Sequence, residues 1–327
     1  MKKALRIAAI ALVAALIVAG GAAALSHIVY GRSLKATAYE LVLRRRFATD
    51  RTPEEEVRRL EAVRAAGETP YALPEGMKLR SPIAETDRAG MQVFTLNPDG
   101  QGPVALYLHG GAYVNPFNAY QWRFMDRLTA GTGCTTVAPA YHLAPHADYA
   151  RAYEDLSGLW RDLIKQYPGR RMLLMGDSAG GGLALGLAES LVREGDALPE
   201  RLILFSPWVD VSMDNPDIEA YVPVEPILHL PLVKVHGQCW AGEADTHHWQ
   251  VSPLFGEMAG LPPVTVYCGT RELLYPDERR LLDRLEAAGV AADLKVGRGL
   301  NHDWPLMPIP EADAAFRTIA ALVRGET

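Results

Sequence analysis

Residues 176–180 read Gly-Asp-Ser-Ala-Gly. The apolar run Met172–Met175 precedes them, and a helix-like run rich in Gly, Ala and Leu follows. A G-x-S-x-G pentapeptide between a strand and a helix demands a sharp turn, with the serine standing clear of the backbone at the top of a sheet. Glycine on either side lets the chain bend and lets the next helix pack closely. The serine hydroxyl then sits over a helix N-terminus, where free N–H groups favour developing negative charge. This context makes Ser178 a candidate nucleophile. A nucleophilic serine needs a base, an orienting acid and an oxyanion site.

The rest of the chain suits such a site. Short apolar runs at 91–96, 104–108, 135–138, 172–175, 202–205, 264–267 and 292–296 alternate with helical stretches at 153–167, 179–193, 277–288 and 311–323. Alternation of this kind predicts an α/β fold with a mostly parallel sheet covered by helices on both faces. The 327 residues are enough for one large domain of that type. Residues 36–66 read as helical, with an Arg-rich and a Glu-rich part. The segment 211–250, with Pro216, Pro223, Pro226 and Pro231 among bulky apolar residues, breaks the alternation. It is expected to be an insertion that covers the mouth of a site.

Each partner of Ser178 has a candidate, in the chain order expected of a strand–elbow–helix serine site. His109-Gly110-Gly111-Ala112 follows the strand at 104–108. Its paired glycines let the Gly110 and Gly111 amides approach a substrate carbonyl, and the amide of Ala179 completes the expected oxyanion site. His109 itself reads as a structural side chain that fixes the loop. His302, in a loop after the last strand, is the candidate base. Between these, both Glu272 and Asp277 follow the strand at 264–268. Glu272 lies close after the strand and is the preferred acid. Asp277 follows Pro276, looks like a helix cap, and is the alternative. Asp177 adjoins the nucleophile and is expected to brace the oxyanion loop.

Composition narrows the field further. A net charge of −6 argues against a nucleic-acid partner. The three cysteines, Cys134, Cys239 and Cys268, lie far apart and give neither a disulfide framework nor a zinc spacing. His247-His248 lacks a third ligand at a useful spacing. Neither a metal nor a cofactor is expected. The N-terminus carries Lys2, Lys3 and Arg6 before an uncharged run from Ile7 to Tyr30. The part from Ile7 to Leu25 is about long enough to cross a bilayer. An uncleaved membrane anchor is the preferred reading, with the bulk of the chain outside the cytoplasm. A cleaved signal peptide, with Ala22-Ala23-Ala24 as its cleavage region, is the competing one.

The pairing of His109-Gly110-Gly111-Ala112 with Gly176-Asp177-Ser178-Ala179-Gly180 resembles the hormone-sensitive-lipase family of α/β-hydrolases. Tyr141-His142-Leu143-Ala144-Pro145, Ser206-Pro207-Trp208, Val251-Ser252-Pro253-Leu254, Gly269–Asp277 and Gly299–Trp304 are further similar pieces. The resemblance spans roughly residues 75–325. It implies an α/β-hydrolase fold with a helical cap, partly built from N-terminal helices, and carboxylesterase activity on small acyl groups. It places the acid at Glu272, where a commoner aspartate is replaced, and Ala112 stands where many members have a third glycine. The domain division expected is an anchor or signal segment at 1–30, cap helices at 31–75, and a catalytic domain at 76–327 with a cap insertion at about 211–250. The expected substrate is a small-molecule ester. Lactones, acetylated sugars and amides are alternatives, as is a non-catalytic ligand-binding protein on the same scaffold.

Overall fold

The computed structural model describes residues 20, 21 and 23–326. Most of the apolar stretch read as an anchor or signal segment lies outside the described residues. Among the described residues, no helix is long and apolar enough to cross a membrane. The described chain begins with a helical stretch ending in Ser26–Tyr30, followed by α1 (Leu34–Phe47) and α2 (Pro53–Ala66). Residues 36–66 are therefore two helices and not one. Thr52 caps α2 reciprocally with Glu55, and Pro53 occupies its first turn, so the chain restarts a helix there.

A sheet of eight strands follows: β1 (Ile83–Arg88), β2 (Met91–Leu96), β3 (Val104–Leu108), β4 (Thr135–Pro139), β5 (Met172–Asp177), β6 (Arg201–Phe205), β7 (Val264–Arg271) and β8 (Ala292–Asn301). Their spatial order is β1-β2-β4-β3-β5-β6-β7-β8. β1 pairs antiparallel with β2, and β2 with β4; all other neighbours are parallel. The helices α3 (Ala119–Thr132), α4 (Tyr149–Gln166), α5 (Ser178–Glu194), α6 (Leu230–Ala241), α7 (Tyr275–Ala287) and α8 (Pro310–Arg324) complete the fold.

The central strands are buried on both faces, and the two-residue period of a strand divides their side chains between two cores. Val104, Leu106 and Leu108 of β3, with Leu202 and Leu204 of β6, join the core under α4, α5 and α7. Ala105, Tyr107, Ile203 and Phe205 join the core under α3 and α8. Removing one such leucine side chain would cost about 2–5 kcal/mol, because rigid neighbours refill the space poorly. This framework fixes the C-terminal ends of β3, β5, β7 and β8 along one edge of the sheet, with β6 between β5 and β7. All the candidate groups lie at those ends, where open α/β sheets place their sites.

Candidate active site

Ser178 opens α5 directly after β5, with φ of 52°. A non-glycine residue in the left-handed region is strained, and the strain is tolerated because both neighbours of the turn are glycines in close contact. A Cβ on Gly180 would meet the backbone of Leu108 and His109, and one on Gly176 would meet the backbone of Gly180. The turn thus points the Ser178 hydroxyl out of the sheet, toward the end of β8.

There His302 Nε2 lies 2.9 Å from Ser178 Oγ, and His302 Nδ1 lies 3.0 Å from Glu272 Oε2. A carboxylate only accepts, so Nδ1 carries the ring proton and Nε2 is left to accept from the serine. Glu272 also accepts the Gly269 N–H through Oε1. Ser178, His302 and Glu272 are all buried. Asp277 does not reach His302: it lies in the first turn of α7, holding Asn215 Nδ2 and Arg280 Nη1 at 2.8 Å each.

The electrostatics of the imidazole follow from this burial. Burial alone lowers the His302 pKa, but Asp303, Glu272 and Glu225 more than reverse it and hold it above the ordinary histidine range. Asp303 Oδ2 is 3.4 Å from His302 Nε2. Burial in turn pushes the Asp303 carboxyl above the usual carboxylate range, while the His302 charge beside it pulls it back.

The oxyanion loop differs from expectation at one residue. Gly110 is not on the cavity wall. It is packed against Asp177, and a Cβ there would fall within 2.8 Å of the Asp177 carbonyl and of Ser178 Cβ. Gly111 and Ala112 line the cavity instead, with φ of 135° and 54°. Among the described residues neither of their N–H groups has a hydrogen-bond partner. Ala179, buried in the first turn of α5, contributes one of the free N–H groups of a helix start. Asp177 accepts from Tyr107 Oη at 2.6 Å and Gln121 Nε2 at 2.8 Å, and Gln121 Nε2 also reaches Gly110 O at 3.2 Å. It therefore braces the loop through Gln121. His109 is packed between Phe117 and Tyr141, with ring centroids at 4.1 and 4.5 Å. Burial lowers its pKa to about 4, which keeps it neutral.

These groups open onto a cavity of about 410 Å³ walled by Leu43 and Phe47 of α1, Ile227 and Leu228, and Leu232 and Val233 of α6. The segment 211–250 supplies four of these six apolar residues. Glu225, in the same segment, accepts from the amides of Ile227, Leu228 and Leu273. It joins the cavity wall to the residue after Glu272. The sequence reading did not find Gln121, Tyr107, Glu225 or Asp303; the adjacency of Asp303 to His302 was the one available signal. Among the described residues no cluster of His, Cys, Asp and Glu could hold a metal ion. His247 is exposed beside Asp245.

The parallel sheet, the serine elbow at its centre and the histidine at the end of β8 define an α/β-hydrolase with a serine site. The sequence profile of the alpha/beta hydrolase fold family matches residues 105–306. LipR of Mycobacterium tuberculosis is 32% identical over 248 residues, covering 72% of this chain and 78% of LipR. The esterase LipU of the same organism is 29% identical over 268 residues, covering 78% of this chain and 90% of its own. The crystal structure of an esterase from the bacterial hormone-sensitive lipase family superposes with a TM-score of 0.76 at 27% identity, covering 90% of this chain and 98% of that one. The chain belongs to the hormone-sensitive-lipase-like family of α/β-hydrolases, a family of carboxylic ester hydrolases.

Proposed function

We propose that the protein hydrolyses short- to medium-chain carboxylic esters through an acyl-enzyme on Ser178. The observation that carries this reading is the buried hydrogen-bonded chain Ser178–His302–Glu272 at the base of an apolar cavity. Ser178 Oγ attacks the ester carbonyl while His302 Nε2 takes its proton. The imidazolium then gives that proton to the leaving alcohol. Glu272 holds the ring in the required tautomer and stabilises its charge. The amides of Gly111, Ala112 and Ala179 receive the oxyanion. Water, activated by the same histidine, releases the acid.

The cavity volume and its aliphatic wall favour short and medium acyl chains over long ones. The segment 211–250 acts as a cap over the catalytic domain, together with the N-terminal helices. For localisation, the apolar run Ile7–Leu25 supports attachment to a membrane, or export if that run is cleaved. The surface that follows it is consistent with a lipid neighbour: Leu25, Ile28 and Val29, then Leu41 and Val42 of α1, are exposed, with Arg45 and Arg46 beside them.

Turnover of p-nitrophenyl acetate, butyrate, octanoate and palmitate by the wild-type chain and by Ser178→Ala tests the reaction. Activity concentrated in the first three esters and abolished in the variant is expected, with a phosphonate labelling the wild-type chain alone. Undiminished turnover in Ser178→Ala would refute it.

A further inference from the structure

Glu278 lies six residues after Glu272, inside the first two turns of α7, and is completely buried. Among the described residues, neither of its carboxyl oxygens receives an N–H or O–H from another group, and no arginine, lysine or histidine forms an ion pair with it. A buried carboxylate without a donor or a cation is one of the costliest arrangements in a protein. The group escapes that cost by keeping its proton. Burial pushes its ionisation well above the usual range, and the neighbouring Glu272 charge pushes it further.

A protonated carboxyl has one O–H to place. The acceptor within hydrogen-bonding reach is the Glu272 carboxylate, with the Cys268 thiol also beside it. Glu272 has room: each of its oxygens accepts one bond, from Gly269 N and from His302 Nδ1, and each carboxylate oxygen can accept two.

We propose that Glu278 donates its carboxyl O–H to Glu272 and is a positioning residue, the fourth member of the chain Ser178–His302–Glu272–Glu278. This inference rests on the reading of Glu272 as the group that orients His302. The bond has two consequences. It adds a third hydrogen bond to a carboxylate that must hold one rotamer. It also draws charge off Glu272, so the acid supports the imidazolium without locking the proton onto it. That restraint matters here because His302 faces Glu272, Asp303 and Glu225 together, while Glu278 itself faces Glu272, Asp303, Asp277 and Cys268.

The test is the pH dependence of kcat and kcat/KM for a short-chain ester in the full chain, with active sites counted by phosphonate titration. Wild type is compared with Glu278→Gln and Glu278→Leu. Glutamine keeps a neutral donor in the same shape, so kcat within about threefold of wild type and an unmoved acid limb are expected. Leucine removes the donor, so kcat falls at least about tenfold, the scale of a lost hydrogen bond to a charged group. Its acid limb moves to higher pH, because the unshielded Glu272 charge retains the proton on His302. One component of the wild-type carboxylic-acid carbonyl stretch should be lost in Glu278→Gln while those of the other buried carboxyls stay, a readout that does not need Glu278→Leu to fold.

Three results would overturn the proposal. One is an acid limb that moves to lower pH in Glu278→Gln, since that would mean a charge had been removed. Another is a leucine variant that matches wild type, and the third is an unchanged infrared band in Glu278→Gln. A wild-type level of activity in Glu272→Gln is a separate outcome, because it would remove the orienting role of Glu272 whatever Glu278 does.

Discussion

Glu272→Gln separates the two acids that the sequence left available. Glu272 is fully buried and uses both oxygens as acceptors, one for the Gly269 amide and one for His302 Nδ1. Glutamine brings one acceptor and one NH₂ group to the same place. If its oxygen faces Gly269, its NH₂ faces Nδ1 and forces the ring proton onto Nε2. That nitrogen lies 2.9 Å from Ser178 Oγ and could then no longer accept the serine proton. If the amide flips, two N–H groups confront each other at Gly269 without water to separate them. Aspartate-to-asparagine exchange in a serine triad costs about 10⁴ in kcat for the tautomer reason alone. At about 1.36 kcal/mol per tenfold, that is about 5.4 kcal/mol of transition-state stabilisation. The expected loss here is about 10³–10⁴ in kcat, with little change in KM. Asp277→Asn should stay within about threefold, because its partners are Asn215 of the 211–250 segment and Arg280 of α7, and not His302. The assay is p-nitrophenyl butyrate turnover normalised to phosphonate-reactive sites, with melting curves for both variants. A Glu272→Gln enzyme retaining more than a tenth of wild-type kcat would refute the reasoning, as would an Asp277→Asn enzyme that falls equally far.

Three further outcomes follow from the geometry. Because His302 must be neutral to act and its carboxylate neighbours raise its pKa, kcat/KM should fall on the acid side with a midpoint above the ordinary value of about 6.5; a pH–rate profile flat down to pH 5 would count against His302 as the base. Gly111→Ala should lower kcat about 10²–10³-fold, since its φ of 135° excludes a side chain and a Cβ would strike the Asn115 carbonyl, displacing the loop donors; wild-type kcat in that variant would remove the loop from the oxyanion site. Glu56, despite a burial that raises its pKa, is pulled down to about 2 by Arg59, His236 and Arg51, and its bond to His236 ties α2 to α6. Its stabilising contribution is therefore complete above about pH 4.3 and is lost as pH falls toward 2. Urea titrations of Glu56→Gln should show a loss of about 2–3 kcal/mol at neutral pH, less than a fully buried pair because Arg51 and Arg59 are part-exposed, and that difference should shrink on acidification.

The sequence exposed those parts of the site whose chemistry is local. A serine between glycines at a strand end, and a histidine after the last strand, announce themselves by residue type and position. Glu272 is preferred to Asp277 for its place close after the strand, for the cap-like setting of Asp277 and for the resemblance of its loop; in the structure Glu272 faces His302, and Asp277 faces Asn215 and Arg280. Which loop residues line the cavity was not legible, because it depends on φ values. Gly111 and Ala112 both have positive φ, and nothing in the letters of His-Gly-Gly-Ala says that an alanine will join the glycine there. The strand β1 escaped for a different reason. Ile83–Arg88 is an edge strand with only one clearly apolar residue, held by its register with β2 and by the turn at Ala89-Gly90, so no hydrophobic alternation marks it. Glu225, Glu278 and Asp303 share a third reason. A charged letter reads as solvent-facing until the elements around it are assembled, and burial of Glu225 and Glu278, with the partial burial of Asp303, is what gives these three their chemistry.

The same inversion explains how the N-terminal helices bear on an acid loop 231 residues away in sequence. α1 turns Leu41 and Val42 outward and Glu40 inward, the reverse of an ordinary surface helix. Glu40 is reached by Arg32, Arg44 and Arg271, and these guanidiniums keep it ionised against a burial that opposes its charge. Arg271 is the residue before Glu272. Arg32 also donates to Gly299 O at 2.6 Å, on the strand end that leads to His302, while Arg44 donates to Val224 O at 2.7 Å, next to Glu225. One buried carboxylate thus ties α1 to the acid loop, the histidine strand and the cap segment at once. The side chains that wall the cavity from α1, Leu43 and Phe47, are fixed by the same contacts. A helix that only covered the cavity would have no need of a buried ion cluster, since apolar packing would hold it at lower desolvation cost. What the cluster adds is direction. Guanidinium–carboxylate bonds lock a register that aliphatic contacts would leave free to slide, and here that register sets the acyl wall of the cavity and the position of the residue beside Glu272 together.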